Sequence, residues 1–319
     1  MNKFTKTLGY TLSGFLVAIM GALGISGGAN AENAFPSKSI EMIIGFKPGG
    51  FSDAMARKIS EPLTEKLGQT IIHTYKGGAG GSIAATAVKG KPADGYTLVV
   101  ATSLTFAFNP LQGKVKYDKE DFDYLLTMAR FEGAFVSLAK KPWKDFSSMI
   151  EHAKSTGAAI KFGSLGPADR LQMEAVSKAT GVTFIPLPIK GGANMMQNIL
   201  GGHVDFGMSG GPHVQYVKSG EMIVLAASGS EKLNATPDAE TMASLGYPAV
   251  SYNSVIASPK GLPKSVREKL EKALVESAKD KRFQDLVTKK FVSIPPMNGA
   301  ETKASIDRIT KGMKAVLAN

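Results

Sequence analysis

The chain has 319 residues, of which 43% are hydrophobic and 20% are charged. This length and balance fit one large globular domain or two domains of medium size. The sequence contains no cysteine, which excludes disulfide bonds, thiol nucleophiles and cysteine-ligated metal sites. The formal net charge is +11, but the lysines stand singly or in pairs without interleaved aromatic residues. This pattern does not indicate a nucleic-acid-binding arm.

The first 31 residues have the pattern of a secretory signal peptide. Lys3 and Lys6 give a positive start, residues 15–25 form a short apolar core, and Ala29-Asn30-Ala31 offers an A-x-A cleavage site. No later segment approaches ~20 uninterrupted apolar residues. We therefore expect export, cleavage after Ala31, and a mature chain that is soluble. Loss of the two lysines lowers its charge from +11 to +9.

Strand and helix patterns alternate after the signal peptide. The apolar run IEMIIGF predicts a first strand, and apolar residues recurring every four positions predict a helix over 53–67. Ser52 or Asp53 is expected to cap this helix, and Pro62 to kink or divide it. Further strands are predicted at TIIHTY, YTLVVATS, FEGAFVSL, AIKFGSLG, VTFIPLP, VDFGMS, EMIVLAAS and SVIASP, with further helices after GGAGG and KPWKD, over 169–180 and 193–200, after Pro263, and at the carboxyl end. This alternation favours the α/β class with largely parallel sheets.

Five predicted strands lead into loops rich in glycine, serine or threonine: GFKPGGFSD, YKGGAGGS, ATSLTFAFNP, GSLGPAD and MSGGPH. In open α/β sheets, ligands bind at the carboxyl ends of the strands. Free backbone amides at the N-termini of the following helices attract anions there. The loops therefore predict a small-anion site.

The sequence does not match the more specific motifs of nucleotide-binding and catalytic sites. GFKPGGFS nearly matches a phosphate-binding P-loop, but Phe51 occupies the lysine position and Pro48 lacks an amide hydrogen. GGAGGS lacks the third glycine of a dinucleotide fingerprint. The four histidines lack metal-ligand spacing, and no G-x-S-x-G elbow is present. We expect no catalytic residues, no metal and no cofactor.

Several motifs in order resemble a known family. FPSKSIEMIIGFKPGGFSDAMAR, LGQTIIHTYKGGAGGSIAATAVKGKPADGYTL, GSLGPADRLQMEAV and PIKGGANMMQNILGGHVDFGM are similar to segments of the substrate-binding proteins of tripartite tricarboxylate transporters, the Bug family. The resemblance runs from about Phe35 to the end of the chain.

The resemblance implies an α/β Venus-flytrap of the type II-like periplasmic binding proteins, in which two lobes are joined by two crossover segments. Lobe 1 would comprise 32–130 plus 254–319, and lobe 2 would comprise 131–253. It implies a monomeric periplasmic receptor, not an enzyme. Such a receptor captures a small organic carboxylate, either a di- or tricarboxylate or an aromatic acid, and delivers it to membrane permease subunits. Some members instead signal through a sensor kinase.

Ligand-binding residues follow from the same resemblance. Two loops would grip one carboxylate through backbone amides and bridging waters, and the aspartate would orient those waters. The expected residues are Pro48, Gly49, Gly50, Phe51, Ser52 and Asp53 in the first loop; Gly78, Ala79, Gly80, Gly81 and Ser82 in the second; and Thr102, Ser103, Ser164, Arg170 and Asn194 elsewhere.

Departures from the family pattern bear on the ligand. Arg170 replaces a usual histidine, and it could either clamp a second carboxylate or simply face solvent. If Phe51, Phe106 or Phe108 lines the cleft, an aromatic or longer aliphatic acid is favoured; otherwise these side chains belong to the core, as we expect for Phe106. Three rival functions remain open: a sensor-only receptor, a two-lobed enzyme, and a binder of anionic polymer or lipid that uses the +9 charge.

Overall fold

Two β-sheets flanked by helices make up the part of the chain that the computed structural model describes, residues 35–289, 292–293 and 296–318. The predicted signal peptide and its cleavage site lie outside these residues. Within them, no helix combines the length and the apolar character needed to cross a bilayer.

The strands are β1 (Ile40–Ile44), β2 (Ile71–Tyr75), β3 (Thr97–Thr102), β4 (Phe122–Phe131), β5 (Ala134–Leu138), β6 (Ile160–Ser164), β7 (Phe184–Pro188), β8 (Phe206–Ser209), β9 (Met222–Ala227), β10 (Asn253–Pro259), β11 (Val292–Ser293) and β12 (Met297–Asn298). The α-helices are α1 (Phe51–Leu67), α2 (Ser82–Lys89), α3 (Ser103–Ala107), α4 (Phe146–Thr156), α5 (Pro167–Thr180), α6 (Gly192–Leu200), α7 (His213–Lys218), α8 (Lys264–Ala278), α9 (Lys281–Lys289) and α10 (Gly299–Ala318).

The first sheet has the order β11–β4–β10–β3–β1–β2, with β12 also paired to β4. Strand β1 is parallel to both β2 and β3, whereas β10 is antiparallel to β3 and β4. The second sheet has the order β7–β6–β8–β5–β9, with β6 parallel to its neighbours and β5 antiparallel to β8 and β9.

The α/β class is confirmed, but the expectation of largely parallel sheets is wrong because both sheets are mixed. The cause is the connection between them. The chain leaves the first sheet at the end of β4 and starts β5 beside the carboxyl end of β8, where Ala134 pairs with Ser209. It returns to start β10 beside the carboxyl ends of β3 and β4. Strands β5 and β10 therefore run antiparallel to the strands whose carboxyl ends lie beside their first residues.

Strand β4 is the largest element that the sequence pattern did not predict; α3, α7 and α9 were also not predicted. Its ten residues include the charged Asp123 and Arg130, which interrupt the apolar run. In the fold, buried Asp123 accepts hydrogen bonds from Lys260 Nζ at 2.8 Å and from the backbone amides of Gly261 and Leu262 at 2.8 and 2.9 Å. These partners are about 140 positions away, so local periodicity cannot reveal them.

Helix α1 corrects two local expectations. It begins at Phe51, its N-cap residue is Gly50, and no side chain caps it, so neither Ser52 nor Asp53 is the cap. Pro62 lies inside a single continuous helix and does not divide it. Met55, Ile59 and Leu63 are fully buried on the sheet-facing side, and this packing outweighs the hydrogen bond that a proline removes.

A cluster of phenylalanine rings forms the centre of the second sheet's core. Phe206 is fully buried, and its ring lies 5.7 Å from that of Phe135, 5.7 Å from that of Phe162 and 6.0 Å from that of Phe184, measured between centroids. Burial of this aromatic surface is the main stabilising term in this region.

We predict that Phe206→Ala lowers the free energy of unfolding by about 3–5 kcal/mol, because it removes buried ring contacts and leaves a cavity. Urea unfolding of the mature chain measures this. The control is Ile185→Ala, on a side chain of the same sheet that is 42% exposed, which should change stability by roughly 0.5 kcal/mol or less. Equal effects of the two substitutions would contradict the assignment of Phe206 to the core.

Candidate functional site

Three predicted loops meet at one edge of the first sheet. Because β1 is parallel to β2 and β3, with Ile44 in register with both Tyr75 and Val100, the carboxyl ends of the three strands are adjacent. Loop 45–50 follows β1, loop 76–81 follows β2, and Thr102 is the last residue of β3. The parallel register therefore collects the first-loop and second-loop residues in one place, as the sequence predicted.

The first loop is fastened by Asp53. This carboxylate is 5% exposed; Oδ2 accepts the backbone N–H of Gly49 at 2.7 Å, and Oδ1 accepts Arg57 Nε and the Tyr75 hydroxyl, each at 2.8 Å. Arg57 also donates to the hydroxyl oxygen of Tyr75. Asp53 thus joins the loop to its own helix and to the end of β2.

The protonation state of Asp53 follows from these contacts. Burial alone would raise its pKa, but the Gly49 amide, the Tyr75 hydroxyl and the Arg57 guanidinium together lower the pKa below the usual value. The carboxylate is therefore charged at neutral pH, and its acceptor positions are used within the protein. Asp53 shapes the loop rather than presenting itself to an anion.

The amides around Asp53 remain available. Among the residues that the structure describes, none accepts a hydrogen bond from the backbone N–H of Gly50, Phe51 or Ser52. Pro48, Gly49 and Gly50 are exposed. Donors of this kind at a helix N-terminus, where the helix dipole is positive, favour a negatively charged group.

The second loop is held in an unusual conformation by three side chains that the sequence analysis did not single out. Gly78, Ala79, Gly80 and Gly81 all have positive φ, including the non-glycine Ala79 at 46°. Thr105 donates to the Gly80 carbonyl oxygen at 2.7 Å. Asn109 Nδ2 donates to the Ala79 carbonyl oxygen at 3.2 Å and to Ser82 Oγ at 2.8 Å. The Tyr117 hydroxyl lies 2.9 Å from Ser82 Oγ.

This network fixes the carbonyl groups of the second loop. The N–H groups of Gly78, Ala79 and Gly80 have no acceptor among the described residues. Glycine is required at residue 81, because a Cβ there would lie 2.8 Å from Thr105 Oγ1 and φ is +89°. Ser82 is buried and already bonded, so it supports the loop.

Thr102 and Ser103 have different surroundings. Thr102 is half-buried, with Oγ1 3.2 Å from Thr105 Oγ1. Ser103 is fully buried; its hydroxyl donates to the Ser251 carbonyl oxygen at 3.2 Å and accepts from Asn253 N at 3.1 Å. Ser103 therefore joins α3 to the segment that returns from the second sheet.

Ser164 lies in the second sheet beside an acid that sequence reasoning missed. Asp169, which is 1% exposed, accepts the Ser164 hydroxyl at 2.8 Å on Oδ1 and the Leu165 backbone N–H at 2.6 Å on Oδ2. Burial raises the pKa of Asp169, and these hydrogen bonds only partly oppose it. The available signal was its position at the start of a helix after a glycine-containing turn, as for Asp53.

Arg170 and Asn194 are exposed on the same side of the second sheet, near the carboxyl ends of β6 and β7. Asn194 Nδ2 donates to the Lys190 carbonyl oxygen at 2.9 Å. No described carboxylate forms an ion pair with Arg170. The structure thus leaves a cation at the second sheet, without showing what it contacts.

The three phenylalanines separate clearly. Phe106 and Phe108 are at most 1% exposed and belong to the core. Phe51 is half-buried, and its ring lies 5.3 Å from that of Phe131, at the end of β4. Phe51 is therefore the aromatic candidate that borders the first loop.

No group of three or more potential metal-ligating side chains occurs within the described ranges.

Comparison with known proteins decides the family. The family model described as "Tripartite tricarboxylate transporter family receptor" matches residues 55–318. The chain belongs to this family. The family is one of solute-binding receptors and not a class of enzymes.

Individual relatives agree with this. The chain is 29% identical to Protein BugT of Bordetella pertussis over 279 residues, covering 83% of this chain and 85% of BugT. It also resembles a TctC solute binding protein from Polaromonas, with a TM-score of 0.75 and 23% identity, covering 89% of this chain and 99% of that one. MatC from Rhodopseudomonas palustris, described with bound malate, gives 0.73 and 22%, with coverage of 88% and 100%.

We predict that Asp53→Asn destabilises the mature chain by about 1.5–3 kcal/mol at pH 7, because charge-assisted hydrogen bonds are lost. The Asp53 pKa is lowered, so this contribution is present above the unfolded-state value near 4 and is lost as the pH falls through the folded-state pKa. Urea unfolding at pH 7 and pH 3 measures both points.

The matched control is Asp285→Asn, which removes an exposed i,i+4 ion pair with Lys281 and should cost roughly 0.5 kcal/mol or less. A penalty for Asp53→Asn that equals the control, or that persists unchanged at pH 3, would contradict the role given to Asp53.

A second prediction concerns His213, which follows β8. The ring is fully buried, Nδ1 lies 3.0 Å from Ser209 Oγ, and Nε2 has no partner among the described residues. Burial lowers the pKa of His213 to about 4. The unfolded chain, with a pKa near 6.5, therefore binds a proton first as the pH falls, and stability decreases between about pH 6.5 and 4.

At the acid end of this interval, the loss of stability due to His213 amounts to about 3 kcal/mol, because each unit of pKa difference corresponds to 1.36 kcal/mol. His213→Gln should flatten the dependence of the free energy of unfolding on pH in this interval, measured by urea unfolding at half-unit steps. Parallel curves for the two proteins would show that the histidine is not the titrating group.

Proposed function

We propose that this protein is an exported periplasmic receptor that captures a small organic carboxylate and delivers it to the permease subunits of a tripartite tricarboxylate transporter. The observation that supports this most strongly is the pair of loops at the edge of the first sheet. Both loops carry backbone N–H groups without acceptors among the described residues, and both are held by side chains that fix their shape. The match to the tripartite tricarboxylate transporter receptor family supports a transport role for such a site.

The physical basis is a carboxylate that takes the place of water on the free amides of 50–52 and 78–80. Each amide-to-carboxylate hydrogen bond contributes on the order of 1.5–3 kcal/mol. Two helix N-termini, those of α1 and α2, face the same edge and add favourable partial charge. A buried arginine is not needed for such a site.

We further propose that residues 32–130 plus 254–319 and residues 131–253 act as two lobes that close over the ligand. Closure is favoured when the ligand contacts the second lobe as well as the first. Arg170 and Asn194, exposed beside the strand ends of the second sheet, are our candidates for these added contacts. A second carboxylate on the ligand would suit Arg170 through bidentate hydrogen bonds.

Phe51 sets the other limit on the ligand. A half-buried aromatic ring next to the carboxylate loops can pack against an aliphatic or aromatic body. We therefore propose di- and tricarboxylates and aromatic acids as the ligand classes. The malate bound by MatC, a relative of the same fold, supports the first of them.

The decisive experiment removes one amide and leaves the backbone shape. Gly50 has φ −79°, which lies within the range that proline adopts, and a Cβ there would meet only the Lys47 carbonyl oxygen at 3.3 Å. Gly50→Pro deletes one donor, whereas the matched control Gly50→Ala retains it. We predict a ten- to hundredfold weaker carboxylate affinity for the proline variant alone.

Calorimetric titration of the mature chain against aliphatic di- and tricarboxylates, amino acids and aromatic acids measures this affinity, after bound ligand has been stripped by unfolding and refolding. Thermal unfolding of both variants checks that each is folded. Equal affinities in the two variants, or no binding of any acid to the native chain, would contradict the proposed site.

A further inference from the structure

A cavity lies where the end of β4, the start of β10 and the segment that connects β9 to β10 face α10. Its volume is about 340 Å³, which is within the size range of small-molecule pockets. None of the residues predicted for the carboxylate site lines it. The lining residues are Arg130, Ser230, Glu231, Ala249, Ser251, Asn253, Met297, Ser305, Arg308, Ile309 and Gly312.

We call this the hinge cavity. Its wall contains a buried hydrogen-bond acceptor that has no donor among the described residues. Asn253 is 4% exposed; its backbone N–H donates to Ser103, and its Nδ2 donates to Ser305 Oγ at 3.3 Å. No described residue donates to Asn253 Oδ1. Buried polar atoms are normally hydrogen-bonded, and an unsatisfied one costs about 1–3 kcal/mol. A donor from a bound molecule would satisfy it.

The charges around the hinge cavity favour an anion. Arg130 and Glu231 form an ion pair with each other, so their charges offset. Arg308 is exposed on α10 and forms no ion pair with any described carboxylate. One positive charge therefore remains at the cavity, and a guanidinium binds a carboxylate with two parallel hydrogen bonds.

Apolar surface completes the cavity. Ala249, Met297 and Ile309 contribute side chains to the lining, so a short aliphatic body can be buried there. A carboxylate, a hydrogen-bond donor near it, and an aliphatic body together describe one class of small molecule.

We infer that the hinge cavity is a second binding site, for an α-hydroxy monocarboxylate with a short aliphatic body. The carboxylate pairs with Arg308, the hydroxyl donates to Asn253 Oδ1, and the body packs on Met297 and Ile309. The lining comes from α10, from β12, from the end of β4, from the start of β10, and from the segment that connects β9 to β10. Occupancy would therefore bias the relative position of the sheets only to the extent that affinity differs between positions.

The test uses 2-hydroxyisocaproate as the probe and isocaproate, which lacks the hydroxyl, as its matched control. Mature protein is labelled with ¹³C in the methionine methyl groups, and the Met297 resonance is assigned with Met297→Leu. We expect this resonance to shift saturably with 2-hydroxyisocaproate, and roughly tenfold more weakly with isocaproate, because the buried acceptor stays unsatisfied.

Three variants on the exposed side of α10 locate the site. Arg308→Gln should weaken the probe roughly tenfold through loss of a charged partner, whereas Lys311→Gln, exposed on the same helix and outside the lining, should not. Gly312→Leu should block the cavity, since no atom lies within 4 Å of a Cβ at this position. The Gly50→Pro variant should bind the probe normally, which separates this site from the carboxylate loops.

The inference is overturned if the Met297 resonance does not move, if other methionines shift while Met297 does not, or if Arg308→Gln and Lys311→Gln behave alike. Equal affinity for the two acids would overturn the role assigned to Asn253. A response that is lost in Gly50→Pro would show that the probe binds at the carboxylate loops instead.

Discussion

The proposed site depends on the hydrogen bonds of one buried carboxylate, that of Asp53. It accepts hydrogen bonds from the first loop, from its own helix and from the end of β2. These bonds use the acceptor positions of Asp53 within the protein, and they leave the amides of 50–52 for an external anion. A negative charge close to an anion site would ordinarily repel the ligand. Here Arg57 is paired with it, so the site keeps its attraction for a carboxylate.

The second sheet repeats this device with a different electrostatic outcome. Asp169 fastens the loop after β6 as Asp53 fastens the loop after β1, but its partners are neutral donors: a serine hydroxyl and backbone amides. Because no cationic side chain is among its hydrogen-bond partners, burial dominates and raises the pKa of Asp169, whereas the pKa of Asp53 is lowered. The two loops are therefore built alike, but the pKa of the carboxyl group that fastens each loop is shifted in opposite directions.

The sequence allowed the α/β class, most strands and the position of both carboxylate loops to be predicted, because these depend on local apolar runs and on glycine at the turns. It did not reveal β4 or the antiparallel pairing of β5 and β10, which depend on contacts between residues far apart, such as Asp123 with Lys260. Nor did it reveal Thr105, Asn109 and Tyr117, whose bonds to the second loop span 25 to 35 positions. Phe106 was assigned correctly to the core, since it lies in an apolar stretch. The predicted side-chain cap of α1 was wrong, because Asp53 accepts a hydrogen bond from the backbone N–H of Gly49 instead.

We propose that free amides of the two loops hold the ligand's carboxylate. Amide NMR on ¹⁵N-glycine-labelled protein tests this proposal most directly. The protein would be titrated with the acid that binds most tightly in calorimetry. We predict that the amide resonances of Gly50, Gly78 and Gly80 shift together and saturate with one dissociation constant. Shifts confined to glycines of the second sheet, such as Gly191 and Gly192, with the two loops unchanged, would contradict it.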